Sequence, residues 1–330
     1  MNVPGPLLPE RFLSRRLWGD PLLADLLGVE RPTAGDPFGE SWQAWGGSRI
    51  RGGPLAGQTL QQAADTFGAE LLGSGSTARY GTSFPLLVKL IAAAQDLSVQ
   101  VHPDDAYARQ HHSGSGQTGK AEAWLILAAR PGAAVYRGFR RDVSGEEVRS
   151  SIADGTLPEL LNRIPLREGD IIFNPPGTVH AIGAGILLFE VQQPSDLTYR
   201  LYDYGRRGAD GQPRELHVEH ALAVADLRVG GTAPVQSAGP VRGQPARLLE
   251  TPYFTVTRHQ AAAGGSLSTD RESLAVLTAL NGPVSLSDGA ELLELGAWES
   301  LVLPARERSY RLGGTGQLID CRLPAQVPAG

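Results

Sequence analysis

The chain has 330 residues, apolar and charged fractions of 41% and 20%, and a formal net charge of −5. That balance offers no basic surface to nucleic acid or anionic lipid, and no apolar run reaches membrane length. The single cysteine, Cys321, excludes an internal disulfide and a cysteine-held cluster, so any metal must be held by His, Asp, Glu or amide oxygens.

Residues 1–58, rich in Gly and Pro, predict short strands and loops, with Trp18, Trp42 and Trp45 as core anchors. The opening Met-Asn-Val-Pro-Gly-Pro has no charged or apolar leader, and the expected location is cytoplasmic. Thr59 with Gln62 is a capping-box pattern ahead of apolar residues at helical spacing, and Gly73-Ser74-Gly75-Ser76 should end that helix. Phe84 to Ile91 is an apolar run broken by Lys89, a buried strand or helix. Leu97 to Val101 then alternates with the period of a half-buried strand. Ser98, Gln100 and His102 share one face, Leu97, Val99 and Val101 the other, and Pro103 ends the strand. An amide oxygen beside an imidazole on an inner face is half a metal site. A polar face open to water is the equal alternative.

Asp104 to His112 reads as a short helix, followed by a Ser-Gly loop to Gly119. His111 and His112 point apart there and should be solvent-exposed. Lys120 to Leu127 is strand-like, with Lys120 and Glu122 on one face. Of the 30 basic residues only Lys89 and Lys120 are lysines. An ammonium can release a proton where a guanidinium in practice cannot, so a surviving lysine beside Glu122 tilts that carboxylate towards a ligand role. Ser144 with Glu147 opens a small helical insert over about residues 144–163, divided at Gly155. From Arg167 to Gly183 come a Gly-Asp turn, an apolar strand, a proline corner and His180 facing inward, the pattern of the second motif of a cupin barrel.

Gly185 to Gln193 is a further strand with Glu190 and Gln192 on one side, and Thr198, Arg200 and Tyr202 share a face beyond it. Residues 207–214 form a polar loop. His217 to His220 opens a helix and should be solvated. Residues 229–246 read as a linker. Tyr253 to His259 and Leu274 to Leu280 are strand-like, and Leu295 to Ala305 repeats the Gly-turn, strand, Pro rhythm with no histidine after it. A second, metal-free copy of the first barrel is expected there.

Four segments now stand in order: Ser98 to Asp104 (SVQVHPD), Gly119 to Trp124 (GKAEAW), Pro176 to Ala181 (PGTVHA) and Ser195 to Tyr204 (SDLTYRLYDY). Together they closely resemble the type I mannose-6-phosphate isomerases of the shorter bacterial form, over nearly the whole chain and most strongly from Phe84 to Leu222. The resemblance implies a zinc-dependent cupin that interconverts mannose 6-phosphate and fructose 6-phosphate through a cis-enediol. The fold so implied is mainly β, with two cupin-type jelly-roll barrels and a small α-helical insert. The first barrel, residues 1–230, binds metal; the second, residues 245–330, is degenerate.

Carried over motif by motif, the resemblance implies Gln100, His102, Glu122 and His180 as ligands of one Zn²⁺. It implies Arg200, Lys120 and Glu190 as catalytic residues, with Lys120 or Glu190 as the base, and Lys89 and Ser98 at the phosphate end of the sugar. The corner Asn174-Pro175-Pro176 departs from the family pattern, as does Gly119, where longer members have His. The expected partner is a small sugar phosphate, with neither nucleic acid nor membrane involved, and the chain should be a monomer or homodimer. An isomerase of another aldose, an iron cupin oxygenase and a non-catalytic sugar-binding cupin are the alternatives.

Overall fold

The computed structural model describes residues 5–208, 211–231, 236–237, 245–261 and 265–325. The chain is mainly β and falls into two compact units. One comprises Leu13–Ser41 and Leu90–Ser237, the other Met1–Phe12, Trp42–Lys89 and Ala238–Gly330. No helix among the described residues is long and apolar enough to cross a membrane.

The first unit is built on a seven-stranded and a five-stranded antiparallel sheet. The five-stranded sheet runs Tyr199–Tyr202, Val99–Val101, His180–Ile182, Ala134–Phe139, Leu161–Pro165. The central strands of the larger sheet run Asp170–Asn174, Glu122–Ala129, Ile186–Gln192. The inward faces of the two sheets meet in a core of Ile91, Leu97, Trp124, Ile126, Val135, Ile172, Ile182 and Leu188. Alternation decides which residues take part. Val99, Val101, Val179, Ala181, Tyr199 and Leu201 point out of the smaller sheet, so Gln100, His180 and Arg200 point in.

That outer face is apolar too, and helices cover it. Ser144 caps Gly145–Ala153 by accepting from Glu147 N–H, and Val148 and Leu157 pack onto the sheet together with Ala221 of the helix Val218–Val224. The insert past Gly155 is a short 3₁₀ turn, Leu157–Leu160, which gives way directly to strand. Burying both faces of the smaller sheet leaves its polar inner row enclosed.

In the second unit, strands Ala246–Glu250, Thr255–Gln260, Gln317–Arg322, Ala275–Leu280 and Ser300–Leu303 form one sheet. Gly265–Thr269, Arg308–Gly314, Val284–Ser287 and Leu292–Leu295 form another. Leu267, Leu277, Leu286, Leu301, Tyr310 and Leu318 fill the core between them. The division at residues 230 and 245 read from the sequence is continuous, whereas these units are interleaved. Residues 5–12 and 42–89 join the C-terminal sheets through specific bonds. Leu7 pairs with Val302, Leu8–Pro9 with Ile50–Arg51, and Leu274 N–H donates to Leu72 O.

Three local expectations change. The Gly73–Ser76 run does not end helical structure: Leu60–Phe67 stops at Gly68, Ala69–Leu72 follows, and Ser74–Tyr80 is a further helix. Gly75 N–H, donating to Glu272 O, helps to anchor its start. A helix, Leu22–Leu27, stands where only strands and loops were expected, closed by Gly28. Most of the supposed linker lies outside the described residues, but Gln236–Ser237 is a strand paired with Asp170–Ile171.

Candidate active site

His102, Glu122 and His180 bring one ligand atom each to within 4.8 Å of one another, and all three are buried. They come from three places in the chain. The alternation of Val99–Val101 turns Gln100 inward, and His102 follows two residues on. Glu122 opens a strand of the opposite sheet. His180 starts its strand just after the proline corner, where Gly177 takes a positive φ of 84° and donates its N–H to His102 O.

Glu122 Oε1 is 3.1 Å from His180 Nε2, and Oε2 is 3.3 Å from His102 Nε2. His102 Nδ1 donates to Leu197 O at 2.9 Å and His180 Nδ1 to Thr178 O at 2.8 Å. A carbonyl only accepts, so Nδ1 carries the proton in both rings and each Nε2 presents a lone pair to the cluster. Burial, and then the charge of Lys120, pushes His102 down to about 4. Burial would raise the Glu122 carboxyl, but Lys120 and the two imidazoles together hold it well below the usual carboxylate range. The cluster thus sets an ionised carboxylate against a His102 imidazole held neutral at pH 7.

Lys120 Nζ lies 2.8 Å from Glu122 Oε2 and 3.3 Å from His102 Nε2, itself almost wholly buried. Gly119 before it leaves no room for a side chain: a Cβ there would sit 2.5 Å from the backbone of Asp104 and Asp105. Gln100 Nε2 is 3.4 Å from His180 Nε2, so its amide borders the cluster. Arg200 is directly opposed to Gln100, with Nε 3.3 Å from Ser98 Oγ and Nη1 donating to Glu215 O at 2.9 Å. Glu190 is buried on the same face, and its Oε2 accepts from Trp124 Nε1 at 2.9 Å. Lys89 Nζ stands 4.7 Å from the centre of the Trp42 ring.

The structure therefore gathers Gln100, His102, Lys120, Glu122 and His180, sets Arg200 and Ser98 beside Gln100, and gives Glu190 to the Trp124 indole. Of the other histidines near this face, His111 and His220 are exposed as expected, while His112 and His217 are only partly so. His112 Nε2 bonds Tyr199 OH at 2.6 Å, His220 stacks on Tyr199 and bonds Tyr107 OH, and His217 Nδ1 accepts from Arg200 N–H. His111 is exposed but stacks on Tyr107. Arg137 and Asn174, both buried at the edge of the cluster, were not singled out from the sequence. The only trace was the unusual residue at the Asn174-Pro175-Pro176 corner.

The donor set fits a divalent metal. Both Glu122 oxygens are buried; Oε2 meets the Lys120 ammonium, Oε1 has no hydrogen-bond donor, and the two imidazole Nε2 atoms face them.

Residues 11–132 match the family described as phosphomannose isomerase type I, catalytic domain. The chain is 35% identical over 316 residues to the probable mannose-6-phosphate isomerase GmuF of Bacillus subtilis, covering 94% of this chain and 96% of that one. It is 34% identical over 318 residues to the mannose-6-phosphate isomerase of Streptococcus mutans, covering 95% and 97%. The crystal structure of the mannose 6-phosphate isomerase from Bacillus subtilis superposes with a TM-score of 0.84 at 29% identity, covering 96% and 99%. A mainly β chain with these relatives is an enzyme of the aldose–ketose isomerase class. It belongs to the type I mannose-6-phosphate isomerase family.

Proposed function

We propose that the protein interconverts mannose 6-phosphate and fructose 6-phosphate through a cis-enediol, with one Zn²⁺ held by Gln100, His102, Glu122 and His180. The observation that carries this reading is the meeting of His102, Glu122 and His180 beside a buried lysine, in a chain of this family. The fold that goes with it is two cupin-type jelly rolls, the first carrying the metal and the second degenerate. The substrate is a small sugar phosphate met in the cytoplasm.

Nitrogen and oxygen donors without thiolate suit Zn²⁺, which would supply Lewis acidity towards a sugar oxygen and order the ligands around it. The chain's own residues do the rest. One proton must pass between C2 and C1 of the opened sugar, which needs a base within reach of both carbons. Lys120 is the better of the two bases. Its Nζ lies against Glu122 and His102 at the centre of the cluster and takes the proton as the neutral amine, whereas the Glu190 carboxylate is engaged by the Trp124 indole. Arg200 offers its guanidinium to the negative charge of the enediolate, and such fixed donors are usually the largest electrostatic contribution to this kind of step. Ser98 holds Arg200 through Nε, and the family resemblance is what assigns Ser98 and Lys89 to the phosphate end of the sugar.

A coupled assay supplied with mannose 6-phosphate, free mannose and other aldose phosphates tests the substrate. Turnover of mannose 6-phosphate well above the others supports the reading. Preference for another aldose, or no turnover of any, would overturn it.

A further inference from the structure

Two rows of side chains face each other around the cluster. On the five-stranded sheet the row is Arg200, Gln100, His180, Arg137, each directly opposed to the next across neighbouring strands. On the seven-stranded sheet it is Asn174, Glu122, Gln192. Arg137 and Asn174 close the same end of both rows and have no part in the function proposed above.

Arg137 is 5% exposed and has no acidic partner among the described residues. Its Nε donates to Asn174 Oδ1 at 3.0 Å and its Nη2 to Phe173 O at 2.7 Å. The guanidinium thereby ties the smaller sheet to the strand Asp170–Asn174 of the larger one. The first of those bonds also fixes the sense of the Asn174 amide: Oδ1 faces the arginine, so Nδ2 is turned away from it. Asn174 Nδ2 is buried and has no hydrogen-bond partner. Its direct cross-strand neighbour is Glu122, whose Oε2 takes the Lys120 ammonium while its buried Oε1 has no hydrogen-bond donor. Side chains so opposed have Cβ atoms about 5 Å apart, within the reach of an amide and a carboxylate. Buried donors and acceptors are seldom left unpaired, and here one of each stands on neighbouring residues.

We propose that Arg137 and Asn174 are positioning residues for the metal-binding carboxylate: Arg137 orients the Asn174 amide, and Asn174 Nδ2 steadies Glu122 in the pose that holds the ion. The inference rests on the metal reading of the cluster. Orientation and charge act in opposite directions here, because a buried cation beside a dication weakens its binding. Removing Arg137 therefore loosens Zn²⁺ if the residue works by orientation and tightens it if the residue works by charge. Lysine keeps the charge but loses the two-pronged clasp.

The experiment is a titration of the metal-free chain with Zn²⁺ against a chromophoric chelator, for wild type, Arg137→Gln, Arg137→Lys, Asn174→Leu and the double variant R137Q/N174L. Losses of this outer kind run to about 10–100-fold in metal affinity. Each single variant should weaken Zn²⁺ binding by about 10-fold or more, and R137Q should add nothing once Asn174 is gone. Unchanged or tighter binding in R137Q, or losses that multiply in the double variant, would overturn the proposal. If R137Q does not fold, R137K and N174L decide the matter, since both must weaken binding. A wild-type chain that takes up no Zn²⁺ would instead remove the metal reading itself.

Discussion

Glu122 Oε1 lies 3.1 Å from His180 Nε2, and the two residues belong to different sheets. The cluster therefore exists only when both sheets are packed, and Glu122 is its sole anion. Glu122→Gln keeps the shape and removes the charge. Zn²⁺ affinity should fall by on the order of 100-fold or more. The metal-free variant should also lose about 3–5 kcal/mol, because the buried Lys120 is left without its counter-ion. Chelator competition and urea unfolding measure the two effects. Undiminished Zn²⁺ binding would show that Glu122 is not a ligand.

Lys120→Met should lower kcat by about 10²–10⁴-fold while the protein still binds one Zn²⁺, as expected for loss of a positioned base. Glu190→Gln should cost far less, since a glutamine can still accept from Trp124 Nε1. The reverse ranking would transfer the base to Glu190. Parallel steady-state kinetics and metal analysis of the two variants decide it.

Ser98→Ala removes the hydroxyl 3.3 Å from Arg200 Nε and frees the guanidinium at one end. A hydrogen bond to a charged group is worth about 1.5–3 kcal/mol, so kcat/KM for mannose 6-phosphate should fall roughly 10- to 100-fold. Lys89→Ala should raise KM for the phosphorylated sugar. An unchanged KM would refute its role at the phosphate end.

The metal-free protein should lose stability in mild acid. His102 is held to about 4 by burial and the charge of Lys120, against an ordinary 6.5. Between those values the unfolded chain binds the extra proton and the folded chain does not. Stability therefore falls as pH drops from 6.5 towards 4, by up to about 3 kcal/mol, and this contribution levels off below that. The depressed Glu122 carboxyl adds a further loss below about 4.5, where the unfolded chain begins to take up that proton. Urea midpoints of metal-free protein from pH 7 to pH 4.5 measure the slope, and a flat profile would contradict it.

Much of this arrangement could be read from the chain because period-2 alternation carries geometric information. Val99 and Val101 pointing one way force Gln100 the other, and the same logic turns Glu122 and His180 inward. Which sheet each strand joins is not local information, so the row Arg200, Gln100, His180, Arg137 became visible only in the pairing. Arg137 escaped notice because an arginine in a strand looks like surface alternation. Only Asn174, the odd residue at the Asn174-Pro175-Pro176 corner, hinted at it. His112 and His217 looked solvated because their partners, Tyr199 and Arg200, are distant in sequence. The helix Ser74–Tyr80 was missed because its anchor, Glu272 O, lies nearly two hundred residues further along.

Activity measured against bound Zn²⁺ tests whether the isomerase depends on its metal. Chelated protein should be inactive on mannose 6-phosphate, and activity should return in proportion to Zn²⁺ added, saturating at one ion per chain. Full activity in protein shown to be free of metal would contradict the account, as would stoichiometric Zn²⁺ with no turnover.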